Sequence, residues 1–468
     1  MTVRSFCNNM KNDSEQKLKA ICILDGRNKD KLEEVSKYFS EFALIRYRIR
    51  IEVEYLIFLS KNTKIIRNLA SKEINFLQNI WKNFQLKDAL IVKQFEAQTN
   101  HDVKAVEYFL QKKIKKTTLK DFIPFIHFGL TSYDINIPAY ALMLVGFNEC
   151  VISPTLHKLL KLLREKIEET KNMPMLARTH GQPALPTTMG KELSVFYKRI
   201  LKEVEHLKNF QFEGKLTGAV GNFNALDFVY PQYDWISSSR KFIRSLGLLP
   251  NVITTQILPY DNWLEFFDLL KRLNNIMVGL CQDIWWYISF EYFLQRKKKE
   301  EVGSSTMSHK VNPITFENAE GNLQLANALF EFFVRKLSVS RLQRDLSDST
   351  IKRDFGLAFG FTILAWDSLF AGLSRITPNV QKMQEDLNNH WEIYSEGVQT
   401  YLRSLGKDQA FEILKEKTRG KTFNKSQFHK LIDTLPIDEK DKKNLKIKSL
   451  AEYLGLAKSI TDIALKNY

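Results

Sequence analysis

The most regular feature of the chain is an apolar stripe at helical spacing. Leu264, Phe267, Leu270, Leu273, Met277, Leu280, Ile284 and Ile288 recur every three or four residues, with one glycine and no proline among them. A stripe of that length predicts a long helix in a bundle. The same spacing recurs over 40–59, 156–169, 191–207 and 323–337. Glycines, prolines and dense polar clusters fall between these stretches, as expected if helices form the scaffold and loops carry the chemistry. Helices that are apolar on more than one side need partner chains to cover them, so an oligomer is expected.

Turn-forming residues are scarce. The 468 residues include 19 glycines and 12 prolines, and 27–123 contains neither, which argues against a fold rich in hairpins. The expected class is all-α: a central long-helix bundle over 121–376, flanked by smaller helical domains over 1–120 and 377–468. The boundaries follow interruptions of the helical pattern at Lys115 to Lys120 and at Thr377-Pro378-Asn379.

Composition narrows the class further. With 44% hydrophobic and 26% charged residues the chain reads as an ordinary soluble protein. Cys7, Cys22, Cys150 and Cys281 are scattered without a CxxC pair, so neither a zinc site nor a disulfide framework is expected, and a reducing compartment is. Residues 1–20 are polar and mixed in charge, unlike a secretory signal, and no stretch approaches the roughly 20 apolar residues of a membrane span. A cytosolic location away from membranes follows as the expectation. The net charge of +16 raises nucleic acid as a partner, but the basic residues are dispersed and nucleic acid is not expected. The densest run, Arg296-Lys297-Lys298-Lys299, leads into Glu300-Glu301. It reads as a solvated loop tip or as long-range attraction for a polyanionic small substrate.

Four polar clusters carry candidate chemistry. Gly303-Ser304-Ser305-Thr306-Met307-Ser308-His309-Lys310-Val311-Asn312-Pro313 combines hydroxyls, a lysine and amides with little bulk, which suits a loop closing over carboxylate oxygens. Thr99-Asn100-His101-Asp102-Val103-Lys104 precedes an apolar helical run and reads equally well as a helix N-cap. In His127-Phe128-Gly129-Leu130-Thr131-Ser132-Tyr133-Asp134 and Arg178-Thr179-His180-Gly181-Gln182-Pro183-Ala184, a lone histidine is more often structural than catalytic. His180, however, sits in a proline-flanked turn beside Thr179 and Gln182, a costly place for polarity unless a ligand meets it.

These clusters together carry a family resemblance. The Gly303 loop resembles the GSSxMPxKxNP signature of the fumarase/aspartase superfamily. His309 and the segment Glu320-Gly321-Asn322 resemble the adenylosuccinate lyase family in particular, and the run from Asn100 to Phe109 and Thr179 to Ala184 are similar to its bacterial branch; the resemblance runs from about Asp25 to near the C-terminus. The resemblance implies a homotetramer of the fumarase/aspartase fold with active sites shared between chains. It also implies β-elimination of fumarate from adenylosuccinate and from the carboxamide ribotide SAICAR, in purine nucleotide biosynthesis, with no metal or organic cofactor.

By the same resemblance Ser304 is the general base and His180 the acid for the departing nitrogen. Lys310 activates the base, His101 orients and touches phosphate, and Glu317 hydrogen-bonds near His180. Arg27 would hold the phosphate, and Thr131, Ser132, Thr179 and Gln256 the succinyl carboxylates. Arg344, Ser349 and Arg353 would complete the nucleotide site. Asn28, Asn100, Asp102, His127, Ser305 and Asn312 complete the implied substrate-binding set. Without the resemblance, the arginines of 341–353 would read as an exposed helix face.

Three positions depart from the family pattern: Asn28 stands for a tyrosine, Ser308 for a proline and Tyr260 for a histidine. They bear on affinity and turnover more than on reaction type. Two competing readings stand beside the main one. The first is a lyase for another fumarate adduct, such as argininosuccinate lyase or fumarase; the second is a weakened relative kept as a binding module.

Overall fold

A computed structural model describes residues 15–296, 306–307 and 309–466. Helices dominate, as the sequence predicts, and among the described residues strands form three two-stranded sheets. The helices that matter here are α1 (Glu41–Asn62), α2 (Leu86–Thr99), α3 (Asp102–Ile114), α4 (Ser132–Phe147) and α5 (Ser153–Thr170). They are followed by α6 (Met189–Lys208), α7 (Asp261–Ser289), α8 (Ile314–Leu337), α9 (Ser347–Arg353) and α10 (Phe355–Leu373). Strands β1 (Pro174–Thr179) and β2 (Gln182–Thr188) form an antiparallel hairpin. All five apolar stretches become helices: 40–59 starts α1 with Ser40 as its N-cap, and the others lie within α5, α6, α7 and α8.

The chain packs as two compact units. The first runs to Leu156 and adds Glu203–Asn275 and Gly321–Ala365; the second is His157–Lys202, Ile276–Glu320 and the chain from Trp366 onward. Every passage from one to the other falls inside a long helix.

The first unit owes its core to phenylalanine. Phe267 stacks on Phe330 with centroids 5.7 Å apart and meets Phe355 edge-on at 4.9 Å, while Phe359 touches Phe39 at 4.6 Å and Phe147 at 4.8 Å. Each such pair contributes roughly 0.5–1.5 kcal/mol beyond the area it buries. One polar layer interrupts these apolar helices. Asn274 donates to Asn327 at 3.1 Å, and Asn327 donates to Asn275 at 2.9 Å, which fixes the register of α7 against α8. At the start of α1 the Ser40 hydroxyl accepts the Ala43 N–H at 3.2 Å. No glycine or proline interrupts this helix, and it is buried on most sides, yet Arg48 and Glu52 lie within it, each 2% exposed. Four residues apart, they share one face.

In the second unit Leu176 of β1 joins a cluster of Leu387, Trp391, Tyr394, Val398, Phe428 and Ile432, which clamps the base of the hairpin. The tip is a two-residue turn, His180-Gly181, with φ of 53° and 74°. Two successive left-handed residues match the twist of a two-residue hairpin. The turn is legible in the sequence, but its strands are not.

Two helical runs, Ser132–Thr170 and Ser347–Leu373, are long and apolar enough to cross a membrane by length and composition. This departs from the expectation that none would be, because each run reaches a mean hydropathy of 1.5 with polar residues interspersed. Most of each apolar window, 78% and 61%, is buried inside the protein, as in core helices.

Candidate active site

In the first unit His101, His127, Thr131 and Ser132, all singled out in the sequence, line one cavity of about 470 Å³ together with Thr99, Lys104, Glu107, Tyr108 and Leu130. Helix termini position most of them, and His127 sits in the turn before α4 with φ of 60°. His101 is the N-cap of α3, its Nδ1 accepting the Lys104 N–H at 3.2 Å. The capping role foreseen for this cluster is therefore real, and histidine fills it. A ring that accepts through Nδ1 carries its proton on Nε2, so the cap also sets the tautomer. Asn100 takes the left-handed conformation that closes α2, with φ of 52°. Thr131 and Ser132 open α4, where the helix dipole favours an anion, although the Thr131 N–H is already taken by the Asp134 carboxylate at 3.0 Å.

His127 is held from behind by α1. Its Nδ1 lies 2.6 Å from Glu52 Oε1, and its backbone N–H donates to Glu52 Oε2 at 3.2 Å. Burial disfavours a charged ring, but the charge and hydrogen bond of Glu52, then the charges of Glu107 and Asp134, outweigh it and raise the pKa above the ordinary 6.5. One turn away on α1, Arg48 donates to Asp102 Oδ2 at 2.6 Å and to Asn136 at 2.8 Å. Arg353 reaches the same Asp102 oxygen at 2.7 Å and Glu41 at 2.9 Å. Burial works against the Asp102 carboxylate, yet the two guanidinium groups hold its pKa below the usual range. Asp102 and Arg353, both expected to touch substrate, are thus engaged with each other within the chain. Arg48 and Glu52 were missed in the sequence; their signal was a pair of opposite charges four apart in an apolar helix.

A third group surrounds Arg344. Its guanidinium lies 4.0 Å from the centre of the Tyr133 ring, and Nη1 is 3.4 Å from the Gln256 side-chain oxygen, so two more expected site residues meet. Gln256 is fixed on all sides: its N–H donates to Gln343 at 3.0 Å, its amide to the Ala219 carbonyl at 3.1 Å, and its carbonyl accepts from Lys215 at 2.7 Å. Lys215 is fully buried against Asp134, 3.1 Å away. Tyr260 is also buried, and its hydroxyl donates to Asp348 at 2.7 Å. Ser349 is half-buried on α9. Arg27 is exposed beside the half-buried Asn28, which caps a short 3-10 helix.

In the second unit Thr179 and His180 stand exposed at the hairpin tip. Arg178 lies against Asp386 at 3.2 Å and over the Phe290 ring, which steadies the strand leading to the tip. Lys310 is exposed and Asn312 half-buried just before α8, and Glu317 in its first turn accepts from the Trp285 indole at 3.1 Å. Among the described residues no hydrogen bond joins His180 to Glu317. Ser304 and Ser305, with Ser308, lie outside the described residues.

The fold recurs in known structures. The chain superposes on the crystal structure of a fumarate lyase from Mesorhizobium sp. BNC1 with a TM-score of 0.74 at 17% identity, over 94% of this chain and 98% of that one. A 3-carboxy-cis,cis-muconate lactonizing enzyme from Pseudomonas putida gives 0.72 at 17% identity, over 92% and 96%. These likenesses define the class as the helical fumarase/aspartase fold. Sequence relatives go further. Adenylosuccinate lyase of Dictyostelium discoideum is 46% identical over 451 residues, and that of Legionella pneumophila (strain Philadelphia 1) 45% over 443, each match covering 94% of this chain and 97% of the relative. The family described as Lyase matches residues 26–327, and that described as Adenylosuccinate lyase C-terminal matches 340–454. The chain belongs to the adenylosuccinate lyase family, and its chemistry is that of a carbon–nitrogen lyase.

Proposed function

We infer that the chain eliminates fumarate from adenylosuccinate, leaving AMP, and from SAICAR, leaving AICAR. The observation that carries this reading is the cavity of the first unit. There a helix N-terminus, two histidines and Lys104, whose ammonium is paired with Glu107 at 2.7 Å, converge on about 470 Å³, an environment suited to an anionic substrate. In the reaction a proton leaves the carbon beside a carboxylate, the C–H electrons become the new C=C bond, the C–N bond breaks, and the nitrogen leaves with a proton. Ser304 takes the first proton, with Lys310 lowering the cost of its charged form, and His180 supplies the second. Negative charge builds on the carboxylate next to the reacting carbon, and Lys310, Asn312 and the loop amides meet it. His101 orients the substrate, Glu317 supports His180, and Arg27, Thr131, Ser132, Thr179, Gln256, Arg344 and Ser349 bind its anionic ends.

A homotetramer in which three chains build each site fits the exposed acid at the hairpin tip. It also fits the apolar surface on the long helices, where Trp286 is 52% and Leu325 50% exposed. In that arrangement the segments around His101 and His127, around His180 and around Gly303 come from different subunits. A cytoplasmic site of action and the three-part division at 120 and 376 complete the reading.

The test is conversion of adenylosuccinate by purified protein, with AMP and fumarate both quantified beside a Ser304→Ala control. Equal amounts of the two products, absent in the control, support both reaction and base. A folded protein inactive on adenylosuccinate and on SAICAR refutes the reading.

A further inference from the structure

We propose that Tyr133, Asp348 and Lys352 form a buried brace that positions the Arg344 guanidinium for substrate, with Tyr133 and Lys352 as positioning residues. The inference rests on the reading that Arg344 binds an anionic group of the substrate. Arg344, Asp348 and Lys352 are spaced four apart, the last two on α9. Asp348 accepts from Tyr133 at 2.7 Å through Oδ1, and from Tyr260 at 2.7 Å and Lys352 at 2.5 Å through Oδ2. Three donors therefore converge on one carboxylate, and none of the four side chains reaches solvent appreciably: Tyr133, Tyr260 and Lys352 are each 2% exposed and Asp348 5%.

Arg344 precedes α9 in an irregular segment in which Leu342 has φ of 49° and is 98% exposed, so the backbone does little to hold it. Besides the Gln256 side-chain oxygen, 3.4 Å from Nη1, what holds the guanidinium is the brace. It stacks on the Tyr133 ring at 4.0 Å, and its Nε lies 3.9 Å from Asp348 Oδ1. Tyr133 follows Ser132 at the start of α4, so the ring that carries Arg344 belongs to the helix that opens the anion cavity. A buried ion pair gives little net stability compared with an apolar packing of the same volume, whereas it fixes orientation. Burial lowers the Lys352 pKa against the pull of Asp348, with Arg344 and Arg48 also lowering it. The rings of Tyr133, Tyr140 and Tyr260 also face its ammonium.

The experiment is steady-state kinetics on adenylosuccinate for wild type, Lys352→Met, Tyr133→Phe, Tyr133→Leu, Arg344→Ala and the double variant Lys352→Met/Arg344→Ala. Circular dichroism and melting on the same preparations verify folding. Lys352→Met and Tyr133→Leu are expected to raise KM about tenfold with kcat little changed, and Tyr133→Phe, which keeps the ring, to raise it less. In the Arg344→Ala background the Lys352→Met effect on KM is expected to vanish. Unchanged KM in folded Lys352→Met, or the same rise with and without Arg344, overturns the brace as a positioning device. Should Lys352→Met not fold, the Tyr133→Phe and Tyr133→Leu pair decides, equal KM values in the two refuting the proposal. An inactive wild type refutes the proposed reaction, and normal KM in Arg344→Ala refutes the role of Arg344, so each failure is separately visible.

Discussion

Replacing Lys215 by methionine isolates what a buried charge contributes to the site. Lys215 and Asp134 are both fully buried, with Nζ 3.1 Å from Oδ1, and burial lowers the lysine pKa against the pull of the carboxylate. The ammonium also donates to the carbonyls of Gln256 at 2.7 Å and Gly218 at 3.3 Å. Methionine keeps the unbranched shape but leaves a carboxylate without a counter-charge and two carbonyls without a donor. Removing one partner of a buried pair costs about 3–5 kcal/mol. The lower half of that range applies to the carboxylate, because Asp134 keeps the N–H groups of Thr131 at 3.0 Å, Thr217 at 2.9 Å and Gly218 at 3.1 Å. Each carbonyl that water cannot reach adds about 1–3 kcal/mol. The expected loss is therefore about 5 kcal/mol or more.

Urea unfolding at fixed protein concentration measures this, since in the proposed tetramer apparent stability would depend on concentration. Adding Asp134→Asn to Lys215→Met should recover about 1 kcal/mol or more, because the orphaned charge is gone. A loss below about 1 kcal/mol in the single variant, or strict additivity in the double, would refute the reasoning. The same variant should raise KM, because the backbone of Gln256 loses its anchor.

Three further outcomes follow from the geometry. His101→Ala should lose about 1 kcal/mol with the N-cap, whereas His101→Asn restores a good cap and so separates folding from chemistry: near-normal melting with kcat down about 10²-fold or more is expected, and normal kcat would leave His101 a cap only. Gly181→Val meets no atom within 4 Å at its new Cβ but forces a β-branched residue to φ of +74°, so a modest melting shift should accompany a larger fall in kcat as His180 moves; unchanged kcat would contradict the role of the tip. His127 has its folded pKa raised above 6.5 by Glu52, Glu107 and Asp134, so its contribution to stability is fully present below pH 6.5 and is lost as pH rises through the folded value. Glu52→Gln should flatten that dependence in urea unfolding from pH 5 to 9, and an unaltered profile would assign it elsewhere.

The helices were legible because burial imposes a period, and stripes such as Leu264 to Ile288 carry it plainly. The hairpin bearing His180 was not. Pro174, Pro183 and Pro186 lie within its strands, where proline removes ladder donors, and a histidine in the left-handed conformation is an unusual first residue for its turn. At the site, the grouping of His101 and His127 with Thr131 and Ser132 could be expected from their clusters. The fate of Asp102 could not, because its partners Arg48 and Arg353 lie 54 and 251 residues away along the chain and leave no local pattern.

What escaped sequence reading shares one physical character. Arg48 with Asp102, Glu52 with His127, Lys215 with Asp134 and Lys352 with Asp348 are four charged pairs sunk in one unit, and each touches a residue of the candidate site or its immediate support. Apolar residues in their places would fold at least as well, since desolvating a charge costs several kcal/mol before any pairing recovers it. A helical scaffold alone fixes where a backbone segment lies, but it leaves a histidine ring or a guanidinium free to turn. Each buried pair removes that freedom at one side chain by giving a fixed, unexchangeable partner in a medium of low dielectric, where misorientation is expensive. The charges inside this unit are therefore best understood as orienting the site and not as stabilising the fold.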